Sequence, residues 1–417
     1  MKIAEVRATN LEIPYTTPYR PAWQPGLVRQ SRDFTLVAVR TDEGIVGYAG
    51  ADGHHACNVA RNVAPYLTGQ EVWATERHAR VFRNAGGTWF IDQALWDVIG
   101  KAARLPLYQL WGACRDRVPA YASTAELGTP TDRAELGRRY RAEGFRAMKL
   151  RFHNERMADD LALLEAVQTA VPDLDIMVDA NQATFLPAPL PSPHWDYRRA
   201  LATARELEAR GVLWLEEPLA KFDFDNLVRL RQETEIHIAG GESNRELHEF
   251  RWLIERGAYD IIQPDCVLSE GISQMRKIAA LAEAFKRHCI PHHGLSGLGL
   301  AATLHLVCTL PGMVWLEMMY EPPPPSEPPQ EARAKPALGV ELSDGEATIP
   351  GGEPKRLDGG RRRGGDAFTG PQGAWPPGAA PDRVAPGHRR REPLRRPACS
   401  GDQAAARRVP RSARRVM

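Results

Sequence analysis

The chain has 417 residues, 43% of them hydrophobic and 25% charged, and a formal net charge of +2 at pH 7. That balance conceals two unlike parts, because residues 351–417 carry 16 Lys and Arg against 6 Asp and Glu, whereas residues 1–350 carry 38 against 46. Composition excludes a membrane span, since no stretch approaches about 20 apolar residues, and a zinc finger, since the six cysteines (Cys57, Cys114, Cys266, Cys289, Cys308, Cys399) hold no Cys-x-x-Cys pair.

The N-terminal part reads as a small α+β unit. Residues 3–13 alternate, and residues 34–40 lead through Thr41-Asp42-Glu43-Gly44 into Ile45-Val46-Gly47-Tyr48, a hairpin signal. Helical stripes follow, first Val59, Val63 and Leu67, then a longer one over residues 89–110 through Ile91, Ala94, Leu95, Val98 and Ile99. Lys2 precedes an alternating stretch and not a continuous apolar run, so no secretory leader is expected and a reducing, cytoplasmic setting is.

From residue 118 the pattern changes to short apolar runs, each followed by a helical stretch, the form of repeated βα units. Eight runs occur, beginning near residues 118, 147, 176, 212, 236, 259, 289 and 314. Eight parallel strands in about 200 residues predict a (β/α)₈ TIM barrel, so the fold class is α/β with an added α+β domain. Most runs contain or closely precede an ionisable residue: Lys149, Asp179, Glu216, Glu242, Asp265, His292 and Glu317. Successive gaps of 30, 37, 26, 23, 27 and 25 residues each span about one βα unit, which brings these side chains to one mouth of the barrel. The long gap holds a proline-rich insertion at residues 186–193, expected to be a surface loop with little effect on register.

Asp179, Glu216 and Glu242 on consecutive strands form an all-oxygen set suited to Mg²⁺, with Mn²⁺ as a substitute. Lys149 and Arg151, two residues apart on one strand, project to the same side. His292 follows strand seven and Asp265 strand six, so a carboxylate can orient an imidazole. A divalent cation, a cationic pair and a His-Asp dyad together suit removal of a proton α to a carboxylate. His293 is out of phase with His292, and Cys266, Cys289, Trp214 and Trp315 are read as packing residues.

The residues that carry this pattern resemble the mandelate racemase branch of the enolase superfamily. The matching motifs are Ala94-Leu95-Trp96-Asp97 with Gly100-Lys101, Lys149-Leu150-Arg151, Val178-Asp179-Ala180-Asn181, Leu215-Glu216-Glu217-Pro218, Gly241-Glu242-Ser243, Gln263-Pro264-Asp265, Pro291-His292 and Leu316-Glu317. The resemblance implies a capping domain at residues 1–117, a modified barrel at 118–322, and a segment at 323–350 returning to the cap. It implies a magnesium set of Asp179, Glu216 and Glu242, with Glu217 outside it, a His292–Asp265 dyad, and Glu317 as an acid that, when protonated, bonds the substrate carboxylate.

Racemases of this branch have Lys where this chain has Arg151, and arginine is a poor base but a good oxyanion clamp. The expected activity is therefore a hydro-lyase reaction, the Mg²⁺-dependent dehydration of a sugar acid to a 2-keto-3-deoxy acid. Racemisation or epimerisation of a 2-hydroxy acid, with Lys149 as the second base, stays an alternative. Muconate cycloisomerase and dipeptide epimerase types are disfavoured, because they carry Lys where this chain has Asp265-Cys266. In the family, capping-domain loops set specificity; here these are residues 15–32 and a second loop with Asp52, His54 and His55. Asn181, Arg20, Trp23 and His54 are the candidate substrate contacts. The expected partners are a small carboxylate substrate and further copies of the chain in a homo-oligomer, with no nucleic acid or membrane.

Residues 351–417 hold 11 Gly and 9 Pro but only six Leu, Val or Phe, and are expected to be disordered. Their composition fits GC-rich DNA read out of frame from near Pro350, which leaves a catalytically defective protein as a further alternative. Resequencing the gene tests that expectation.

Overall fold

Alternation near the N-terminus produces an antiparallel ribbon longer than the pattern suggested. Strand β1 (Ile3–Tyr19) pairs with β2 (Arg29–Thr41), which turns at Gly44 (φ +86°) into β3 (Val46–Asp52). The predicted loop 15–32 is therefore shorter, because pairing continues to Tyr19↔Arg29 across a register shift after Pro14. The computed structural model describes residues 1–321, 341–343 and 346–348, all within one unit spanning residues 1–367.

The first helical stripe splits at Val63 into α1 (Ala56–Asn62) and α2 (Ala64–Leu67), which begins with Pro65 in its first turn. Helix α3 (Thr75–Asn84) follows. The stripe at 89–110 is not one helix but a short 3₁₀ turn, then α4 (Asp92–Ala103) and α5 (Leu107–Leu110). Arg104 ends α4 in the left-handed region at φ +55°, and Pro106, lacking an N–H, starts the next piece. Asp97 accepts the Tyr48 N–H at 2.9 Å and Lys101 Nζ at 2.8 Å, which fastens α4 to β3.

All eight predicted barrel strands form: β4 (Arg117–Ser123), β5 (Ala147–Arg151), β6 (Asp175–Asp179), β7 (Trp214–Glu216), β8 (His237–Gly240), β9 (Ile261–Ile262), β10 (His288–Cys289) and β11 (Leu316–Met319). They lie parallel in the order β11-β4-β5-β6-β7-β8-β9-β10, a curled sheet in which, among the described residues, no ladder joins β10 to β11. The crossovers are α6 (Pro130–Ala142), α7 (Met157–Ala170), α8 (Tyr197–Ala209), α9 (Phe224–Gln232), α10 (Glu246–Arg256), α11 (Ile272–Ala284) and α12 (Gly297–Val307). The protein is thus an α/β (β/α)₈-type barrel with an α+β cap. A hairpin of β12 (Glu341–Ser343) and β13 (Glu346–Thr348) adds antiparallel to the start of β4. The tail 351–417, and residues 323–350 outside that hairpin, lie outside the described residues.

Cap and barrel are joined by buried polar contacts. Asp92 on α4 accepts the Ser273 N–H at 2.7 Å and its hydroxyl at 3.0 Å at the start of α11, and Trp96 Nε1 donates to the same hydroxyl at 2.8 Å. Arg83 on α3 pairs with Glu270 at 2.9 Å.

Candidate active site

A layer of inward-facing side chains fills the barrel: Tyr121, Ala147, Met177, Trp214, Ala239, Ile261 and Ile290. Because strand side chains alternate, residues two positions further along face the same interior, one layer higher. Those residues are Ser123, Lys149, Asp179, Glu216, Gln263 and His292, followed on β5 by Arg151. Register places Arg151 beside Asp179 and Asp179 beside Glu216 across three neighbouring strands. Glu242 breaks the phase, and Gly241 supplies the turn that brings it in, at φ +121°.

Lys149 is fully buried, with Nζ 2.8 Å from Glu216 Oε1, 2.8 Å from Glu317 Oε1 and 3.6 Å from Asp179 Oδ2. Burial works against its charge, but these three carboxylates outweigh it and hold the ammonium proton above its ordinary value. Arg151 donates from NH1 to Asp179 and, at 3.1 Å, to Asn181 Oδ1, from Nε to the Thr124 carbonyl at 2.7 Å, and from NH2 to Ser123 Oγ at 3.1 Å. Four acceptors fix this guanidinium as a rigid cation.

Across the mouth, His292 Nδ1 lies 2.5 Å from Asp265 Oδ2, and its Nε2 lies 3.1 Å from Glu242 Oε2. Asp265 also accepts the N–H groups of Val267 (2.6 Å), Leu268 (3.1 Å) and Gly294 (2.9 Å), so it orients the ring without moving. Burial lowers the imidazole, yet Glu242, Glu317 and Asp265 together raise it to about 10. The asymmetry between the adjacent histidines is sharp: His293 is pushed down to about 3 by burial and by charged His292, and its Nδ1 accepts the Leu295 N–H at 3.1 Å.

Asp179, Glu216, Glu217, Glu242, Asp265 and Glu317 face three cationic groups, Lys149, Arg151 and His292. Asp179 is raised to about 7 by burial and by Glu216 despite its two cations. Glu242 is also raised, by burial and by Glu216. Glu217, left-handed at φ +45°, is buried with Oε1 unpartnered, and burial with Glu242, Asp179 and Glu216 drives it well above the usual carboxylate range. Among the described residues, no three His, Cys, Asp or Glu side chains are gathered into a coordination cage; Asp179 and Glu216 are turned onto Lys149 and Arg151, and Glu242 onto His292. The donor set nonetheless fits a hard divalent cation, being all oxygen and on three successive strand ends. Lys149, His292, His293 and Arg151 overcome burial and hold the Glu317 carboxyl well below its ordinary value.

Of the four candidate substrate contacts, two reach this mouth. Asn181, at φ +46°, donates Nδ2 to Asp179 at 3.0 Å, and the Trp23 ring lies over the Arg151 guanidinium at 5.2 Å. Arg20 is exposed and its NH1 bonds the Pro18 carbonyl at 3.4 Å, while exposed His54 pairs with Asp33 at 3.2 Å. Sequence reasoning missed Gln263 and His153. Gln263 Nε2 donates to Glu216 at 2.8 Å, and buried His153, pushed down to about 4 by burial, bonds Asn181 Oδ1 at 3.1 Å through Nε2. The two-residue period already pointed Gln263 inward. Trp214 is more than packing, since its Nε1 donates to Glu216 at 3.2 Å.

Comparison with known proteins identifies the family. Residues 132–353 match the enolase C-terminal domain-like family and residues 14–112 the mandelate racemase / muconate lactonizing enzyme N-terminal domain. An arabinonate dehydratase of Saccharolobus solfataricus is 30% identical over 314 residues, 70% of this chain and 81% of that one. A D-galactarolactone cycloisomerase of Agrobacterium fabrum is 30% identical over 74% of this chain and 83% of its own length. The structure of L-talarate/galactarate dehydratase from Salmonella typhimurium aligns with a TM-score of 0.70 at 27% identity, covering 84% of this chain and 87% of that one. A variant of L-talarate/galactarate dehydratase is described as liganded with Mg and L-glucarate. With both halves matched in order on a capped barrel, the chain belongs to the mandelate racemase / muconate lactonizing enzyme family of the enolase superfamily.

Proposed function

We infer that the protein is a Mg²⁺-dependent sugar-acid dehydratase. The observation that carries this reading is the pairing of one oriented imidazole, His292 on Asp265, with two fixed cations, Lys149 and Arg151, at one barrel mouth. Asp179, Glu216 and Glu242 would hold the ion, which supplies positive charge that acidifies the α-proton of a bound carboxylate. Lys149 and Arg151 balance the charge that develops on the substrate oxygens as that proton leaves. His292 exchanges the proton at Nε2, because Nδ1–H is committed to Asp265. It takes the α-proton only as the neutral ring, so Glu242, the first of the charges that raise it, has to leave Nε2 for the ion's donor set before His292 can act as a base. The same imidazolium then protonates the departing β-hydroxyl, so water is lost and the enol product tautomerises to a 2-keto-3-deoxy acid. Glu242 belongs to both the ion's donor set and the His292 contact, which couples the charge of the two. Arg151 is no base at working pH, so the reading needs only one proton-moving side chain. Dehydratases among the relatives support it, and the cycloisomerase relative marks the class to test against.

A panel of mono- and diacid sugars with Mg²⁺ in D₂O tests this by scoring 2-keto acid and α-deuterium together. Keto acid from at least one acid is expected. Exchange or epimer without keto acid would overturn dehydration in favour of racemisation. His292→Asn is expected to abolish both signals, and retained turnover would refute the dyad.

A further inference from the structure

The proline-rich segment after Asn181 is not an idle insertion. The Leu190 N–H donates to the Pro25 carbonyl at 3.0 Å, and Gln24 Nε2 donates to the Pro187 carbonyl at 2.9 Å. Gln24 Oε1 meanwhile accepts Arg29 NH2 at 2.7 Å, so one side chain braces both the capping loop and the segment. Gly26 sits at φ +80°, and a Cβ there would lie 2.7 Å from Leu190 Cγ, so the two stretches pack with no room for a side chain. The far side of the capping loop is held by the Ala22 N–H on the Ala125 carbonyl at 2.7 Å and the Arg20 N–H on Glu126 at 2.7 Å. Trp23 lies between these two anchorages, over Arg151. The segment is also tied at its root: Gln182 Nε2 donates to the Ala180 carbonyl at 2.8 Å, and its Oε1 accepts the Trp195 N–H at 2.9 Å.

We propose that residues 186–193 are a strap that positions Trp23 over Arg151 and thereby sets which polyhydroxylated acid is accepted, a role that rests on the sugar-acid reading above. Prolines 187, 189, 191 and 193 each fix φ, so the strap is nearly extended before it docks and loses little entropy on docking. Because it follows β6, beginning seven residues past Asp179, it couples the capping loop to the same strand end that carries the candidate ion ligand. The strap acts through Trp23 and touches no reacting atom, so it is a positioning element.

Two variants test this: Gln24→Ala with Leu190→Ser, and replacement of residues 187–191 by a Gly/Ser stretch of equal length. Leu190 is 57% exposed, so its loss opens no core cavity. In both variants the amides of Ala22, Gln24 and Leu27 are expected to exchange faster with deuterium, and KM for the accepted acid to rise about 10-fold with kcat within about 2-fold. Unchanged amide exchange, or a fall in kcat at constant KM, overturns the strap. A wild-type protein that turns over no sugar acid would refute the function instead, and amide exchange would still decide the strap.

Discussion

Glu216 and Glu217 are adjacent, both buried, and yet placed differently by backbone. Glu216 ends β7 and meets Lys149, Trp214 and Gln263, whereas Glu217, at φ +45°, has Oε1 unpartnered and a carboxyl driven well above its ordinary value. Glu217→Gln, which mimics the protonated acid, is therefore expected to keep Mg²⁺-dependent turnover within a few-fold. Glu216→Gln should lose about 100-fold or more in kcat/KM, the scale of removing one group that supports transition-state charge. Steady-state kinetics on both checks the assignment, and the reverse ranking would move the ion-binding role to Glu217. The motif Glu216-Glu217 was legible in the sequence, but the choice between them rested on resemblance, and the left-handed turn at Glu217 was not legible there.

At the scale of elements, the contact between α4 and α11 carries its own pH signature. Asp92 is buried, which raises its carboxyl to about 6 although Ser273 donates to it twice. In the unfolded chain that group titrates near 3.8, so the folded state holds the extra proton between about pH 4 and 6 and stability falls as pH rises through that window. Above it, the cost is of order 2–3 kcal/mol. Asp92→Asn can keep both contacts, by accepting the Ser273 N–H and donating to its hydroxyl. Denaturant titrations should show the variant more stable than wild type at pH 8, with the difference closing toward pH 4; a pH-independent difference would refute this account. A second test concerns the turn after β8. Gly241→Ala forces a side chain into φ +121° with its Cβ 3.2 Å from Phe250, at a cost of about 1–3 kcal/mol. Thermal unfolding should detect the loss, and displaced Glu242 should weaken Mg²⁺ binding. The strand elements themselves were readable because apolar runs and helical stretches alternate; in residues 89–110 Pro106 marked one break, whereas the left-handed turn at Arg104 and the short 3₁₀ turn had no local signal.

For the molecule as a whole, the net charge of +2 divides into an acidic body and a basic tail, and part of the body's acidity is concentrated at the barrel mouth. Six carboxyls against three cationic groups make ion binding and stability one linked equilibrium. At Mg²⁺ a hundredfold above its Kd, binding to the folded state alone should add about 2.7 kcal/mol. A rise in Tm with Mg²⁺ is expected for wild type and its loss for Asp179→Asn; an equal rise in both would remove Asp179 from the ligand set. By itself, the sequence determined the barrel and nearly all of its inward-facing site, because one two-residue period repeated at βα spacing puts Lys149, Asp179, Glu216 and His292 on a common interior. Only the tertiary structure decided that the Trp23 ring lies over Arg151 while the Arg20 and His54 side chains bond Pro18 and Asp33, and that residues 186–193 brace the capping loop. Loops have no period, and their partners lie up to 163 residues away in the chain, so nothing local in the sequence records those contacts.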